Sequence, residues 1–156
     1  MRNLNDLRMT IIALAPALFA GAPRAMAHAC SPSFPVAYQG NFVVERSDGA
    51  PCSAVFRDTS YTVRLDHDGG SRVSISFHSD IANAFLKNVI LRGWMNEHCD
   101  IDASKMILTG DGTSLFVHWN GPATPTELTA KMTAQVERNG NMLCTAIANY
   151  SARPVE

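Results

Sequence analysis

The chain has 156 residues, 13 basic and 14 acidic, with a formal net charge of −1 when His is neutral, 46% hydrophobic residues and four cysteines. That balance excludes recognition of nucleic acid or anionic lipid through bulk positive charge. The length suits a single domain.

The first segment reads as an address rather than as fold. Arg2 and Arg8 precede an apolar run over 11–20, and Ala25-Met26-Ala27 follows with the small residues of a cleavage site. Basic, apolar, small is the order of a secretory signal peptide, and the run is too short to span a membrane. Removing residues 1–27 leaves one domain over 28–156, which is 129 of the 156 residues. The leader takes away Arg2, Arg8, Arg24 and Asp6, leaving 10 basic and 13 acidic residues, a net charge of −3. An exported product, periplasmic or extracellular, with no stable membrane insertion of the mature chain is the expectation.

Cys30, Cys52, Cys99 and Cys144 all lie in the exported part. An even count in such a chain predicts two disulfides, with three connectivities open. None sits in a CxxC pair, which speaks against redox and structural-zinc chemistry.

In chain order, Pro32 and Pro35 keep 28–39 extended. Strands are predicted over 41–45 and, after the Asp48-Gly49 turn, over 53–57. The clearest stretch is 61–78. There Tyr61, Val63 and Leu65 alternate with polar residues, Asp68-Gly69-Gly70 turns the chain, and Val73, Ile75 and Phe77 alternate again. Period-2 alternation on both sides of a Gly-rich turn is a hairpin with one buried face. A short helix is predicted over 80–86, capped by Ser79 or Asp80, followed by a strand over 89–95. Strands over 104–109 and 114–119 flank Gly110-Asp111-Gly112. Over 126–138, Leu128, Ala130, Met132, Ala134 and Val136 face one way. Asn139-Gly140 favours a tight turn into a last strand over 142–150. The tail, 151–156, is expected to be loose.

Tight turns join antiparallel neighbours. The fold class is therefore all-β, an antiparallel meander of about eight strands that forms a small barrel or a two-sheet sandwich.

Chemistry is written less plainly. Cleavage after Ala27 would expose His28 as the first residue, whose amine and imidazole together suit copper. In that one feature the chain is similar to secreted copper proteins that begin with histidine, such as lytic polysaccharide monooxygenases and periplasmic copper carriers. The resemblance covers His28 alone. His98 and His118 are the candidates to complete such a metal site, and a Cys30–Cys99 bridge would bring His28 and His98 within reach of one ion. Trp94, Trp119 and Tyr61 are candidates to line a ligand cavity. No G-x-S-x-G elbow, carboxylate pair or phosphate loop is present.

The functional expectation is a non-enzymatic exported binding module for a protein partner, as an inhibitor for instance, or for a small ligand. Periplasmic proteinase and lysozyme inhibitors resemble it in size and character, a fold-level analogy. The alternatives are a periplasmic copper-binding protein using His28 and a hydrolase whose site is assembled from distant residues.

Overall fold

The computed structural model describes residues 37–68, 70–81, 86–108 and 111–155; the expected leader, His28 and Cys30 lie outside them. Eight strands form where the alternation is strongest: β1 (Ala37–Asp48), β2 (Thr59–His67), β3 (Arg72–His78), β4 (Ile90–Met95), β5 (Asp100–Leu108), β6 (Thr113–Pro122), β7 (Leu128–Arg138) and β8 (Asn141–Pro154). Each pairs antiparallel with the next, and β1 also pairs with β8, so the sheet closes into an up-and-down barrel. Closure leaves no unpaired sheet edge. Of the two expected architectures, the barrel is the one that forms.

Strand parity decides which wall each residue lines. Tyr61, Val63, Leu65, Val73, Ile75 and Phe77 point inward and are buried, as do Leu128, Ala130, Met132 and Ala134. The register sets large side chains against small ones: Tyr61 opposite Gly40, Trp119 opposite Ala103, Tyr150 opposite Ala130. Rings consequently meet in the middle of the barrel. Phe42 lies 4.6 Å from Tyr150 and 5.3 Å from Tyr61, and Trp119 lies 5.2 Å from Tyr150 and 5.6 Å from Phe77, centroid to centroid. Such contacts add roughly 0.5–1.5 kcal/mol per pair beyond their burial. The tyrosine tips are satisfied as well. Tyr38 Oη donates to the Thr124 carbonyl at 2.9 Å, Tyr150 Oη donates to the Tyr61 carbonyl at 3.2 Å, and Tyr61 Oη accepts the Leu86 N–H at 3.0 Å.

Two local expectations change, and a third lies mostly outside the described residues. The strand expected over 53–57 is instead the helix α1 (Ala50–Val55), with Pro51 in its first turn. Proline loses no hydrogen bond there. A tertiary clamp decides the matter: Cys52 is bridged to Cys144 on β8, with the Cα atoms 5.7 Å apart, and holds this segment across one end of the barrel. Gly49 turns the chain into the helix with φ of 93°, and a Cβ there would fall 2.7 Å from that of Cys144, so a side chain is excluded on both counts. Phe56 is buried behind the helix with Cys52, Ala134 and Ala146.

For the helix expected over 80–86, the described residues at its margins form turns, and 82–85 lie outside the described residues. Finally, the tail is not loose. β8 continues to Pro154, with Arg153 opposite Gln39 and Pro154 opposite Tyr38, because these pairs close the barrel. Where two disulfides were expected, the described residues contain one complete bridge, Cys52–Cys144; Cys99 is also disulfide-bonded, to a partner outside them.

Candidate functional site

Among the described residues the barrel interior offers little room. Between Phe42, Phe56, Tyr61, Leu86 and Met132 there is a gap of about 20 Å³, the space of a single water. Of the three expected cavity residues, Trp119 belongs to this filled interior with 0% exposure, whereas Tyr61, though buried, also borders a recess of about 510 Å³ with Thr62, His78, Lys87 and Asn88. Trp119 Nε1 has no conventional hydrogen-bond partner among the described residues, being enclosed by the rings of Phe42, Phe77 and Tyr150.

Trp94 is different. It is 59% exposed on the outer wall and borders a recess of about 590 Å³ beside the β2–β3 turn. Its orientation follows from parity. Leu91, Gly93 and Met95 of β4 point inward, so Ile90, Arg92 and Trp94 point out. Gly93 lets β4 lie close against β5, since a Cβ there would sit 1.9 Å from the Asp102 carbonyl oxygen and 2.5 Å from Ala103 Cα. Across the ladder Trp94 faces Arg72 of β3 on one side and Asp102 of β5 on the other, while Arg92 faces Ser74 and Ser104. Asp66, His67 and Asp68 complete the rim.

The acids around this recess are already engaged. Asp66 Oδ1 accepts from Arg64 Nε at 3.1 Å. Asp68 Oδ1 accepts the Gly70 N–H at 2.8 Å and the Arg72 N–H at 3.3 Å. The Gly70 and Arg72 amides hold that carboxyl below the usual carboxylate range, with His67 and Arg72 contributing by charge. Asp102 Oδ1 lies 3.1 Å from His118 Nε2, and His118 stacks on Phe116 at 6.4 Å with the rings inclined by 14°. Among the described residues no ion pair involves the side chains of Arg72 or Arg92. The recess therefore presents two guanidinium groups outside any close ion pair, Arg72 sharing its charge with Asp68, beside an open indole face. It can bind an anion next to an apolar or aromatic group.

Ser104 lies opposite His118 in the β5–β6 register, so a serine, a histidine and an aspartate share this wall. The wall is open sheet whose amides serve the ladders on either side.

Of the expected metal ligands, His98 and His118 are not brought together. His28 lies outside the described residues. His98 sits exposed in the β4–β5 turn, its N–H donating to Asn96 Oδ1 at 2.9 Å. His118 is opposite Ser104, whereas the turn holding His98 begins beyond Asp100. Four strand residues separate those levels, about 13 Å along the ladder, and no group of three or more metal-binding side chains occurs among the described residues.

The strongest displacements of titration lie in the core. Burial pushes Tyr38 up to about 12 and raises Tyr61 and Tyr150. These follow from packing around the aromatic cluster. Arg72 and Arg92 were missed in the sequence, although their parity with Trp94 was readable there. Compared with known proteins, the chain matches no protein-family model and no curated protein.

Proposed function

We propose that this protein is an exported binding module that works from its outer wall on a protein partner, with the recess around Trp94 as its contact site. One observation carries the reading. The lumen, where a small apolar ligand would lodge in a barrel of this size, is occupied by Phe42, Tyr61, Phe77, Trp119 and Tyr150. Recognition is left to the exterior.

Other features support it. The wall is polar at Thr62, Arg64, Ser74, Ser76, Lys131 and Gln135, with apolar side chains also exposed at Met106, Leu108 and Met142, while the interior is apolar. A disulfide holding the α1 lid is compatible with an oxidising compartment. Exposed Trp and Arg are the residue types that most often dominate protein interfaces.

The test is comparative capture. Wild-type protein and a Trp94→Asp variant are immobilised and exposed to the extracytoplasmic fraction of the source cells. A protein retained by the wild type and lost from the variant is expected. Equal retention on both baits, or an apolar small molecule copurifying with the barrel, would overturn the reading.

A further inference from the structure

We infer that the partner meets this recess with an acidic segment: a carboxylate received between Arg72 and Arg92, and an adjoining apolar side chain laid on Trp94. The inference rests on the outer-wall reading above and adds the chemistry of what binds. Charge complementarity points to it. Arg72 and Arg92 lie on adjacent strands, each offset by one pair from the other, because Arg72 faces Trp94 while Arg92 faces Ser74. Diagonal neighbours of this kind have Cβ atoms about 7–8 Å apart, and two long side chains at that spacing converge on one planar anion. Of the nearest carboxylates, Asp66 is paired with Arg64, and Asp68 accepts the amides of its own turn while sharing its charge with Arg72, so Arg92 carries the larger part of the available charge. Asp102, on the far side of Trp94, is held by His118.

The remaining feature is the indole. A site for a simple anion needs no large exposed apolar surface, and a 59% exposed tryptophan placed directly opposite an arginine gives an anion-plus-apolar pattern. An acidic stretch of polypeptide carries both elements at neighbouring positions. A sulfated sugar carries the charge and can also stack on an indole, so it belongs among the outcomes of the test.

The experiment selects random displayed peptides on the purified, disulfide-bonded protein and re-measures the enriched sequences as synthetic peptides. Binding is read from Trp94 emission and by calorimetry. The expected winners carry Asp or Glu beside an apolar residue. Their affinity should fall about tenfold on Asp→Asn or Glu→Gln substitution in the peptide, or in an Arg72→Ala/Arg92→Ala variant, the size of one lost charge-assisted hydrogen bond. An Arg138→Ala control, altered outside the recess, should bind as the wild type does. Near-ultraviolet dichroism of the buried aromatic cluster verifies that each variant is folded.

Winners that depend on Trp94 but tolerate loss of the carboxylate or of both arginines would overturn the acidic inference and leave the outer-wall reading standing. The absence of any Trp94-dependent peptide would overturn both. A heparin hexasaccharide that alone shifts Trp94 emission in an arginine-dependent way would likewise replace the protein partner with a sulfated sugar.

Discussion

Removing the Cys52–Cys144 bridge should cost this barrel a large part of its stability without changing its fold. The two cysteines are 92 residues apart in sequence, and the loop-closure relation for a crosslink of that span gives about 4.6 kcal/mol at 25 °C. Natural domains hold roughly 5–15 kcal/mol in total. At roughly 4 °C per kcal/mol for a domain of this size, the thermal midpoint should fall by roughly 18 °C. The fold should survive because β1 and β8 remain joined by a ladder from Tyr38–Pro154 to Asp48–Thr145, interrupted only by the register shift between Val44 and Arg46. The assay is urea unfolding of a Cys52→Ala/Cys144→Ala variant, followed by far-ultraviolet dichroism and tryptophan emission, with a steeper denaturant slope expected from the less constrained unfolded chain. A loss below roughly 2 kcal/mol, with the native spectrum intact, would refute the argument that the bridge acts by restricting the unfolded state.

Four further outcomes follow from individual positions. Gly93→Ala should destabilise by roughly 1–3 kcal/mol in the same unfolding assay, as overpacking does, because the new Cβ meets backbone of β5. Gly70→Ala, which meets only the flexible Asp68 carboxylate at 3.2 Å, should stay within about 0.5 kcal/mol. The three tyrosines are all raised by burial, Tyr38 to about 12. Their contribution to stability is thus complete below the ordinary value of 10.0 and is lost as pH rises from there through the folded values. Absorbance at the phenolate band should show no ionisation near pH 10 in the folded protein, and tyrosinate should appear only as the barrel opens. Asp68 is displaced the other way, so its contribution is present above its ordinary 3.8 and is lost as pH falls through the lowered folded value. Asp68→Asn should flatten that acid limb of the unfolding midpoint, and an unchanged limb would show that its turn amides do not stabilise the charged form.

Much of the barrel was readable because its hairpins are local. The 61–78 stretch and the alternation beginning at Leu128 declare both strand and face, and the register that forms is the one their parity requires. What was not readable depends on distant partners. Residues 53–57 have enough apolar character to pass for a strand, and the bond from Cys52 to Cys144, with Phe56 packed on Ala134 and Ala146, docks the segment as a lid. Residues 151–154 look like an ordinary polar tail until β1 pairs with them. The site divides in the same way. Trp94 and Trp119 look alike as residue types, but Trp94 shares its parity with Arg92, and Trp119 with Val117 and Gly121, so their separation into outer wall and core was already present in the strand pattern. The engagement of Asp66 with Arg64, and of Asp68 with its turn amides and the Arg72 charge, required the folded turn.

Everything proposed for the exterior presupposes an interior that admits nothing. A Trp94→Phe variant leaves Trp119 as the sole tryptophan, buried among the rings of the core. Titrating that variant with fatty acids, retinoids and an apolar dye should leave Trp119 emission unchanged, with no saturable transfer of energy to any of them. Stoichiometric quenching of Trp119 by one such molecule would mean that the barrel opens to hold a ligand, and the outer-wall account would fall with it.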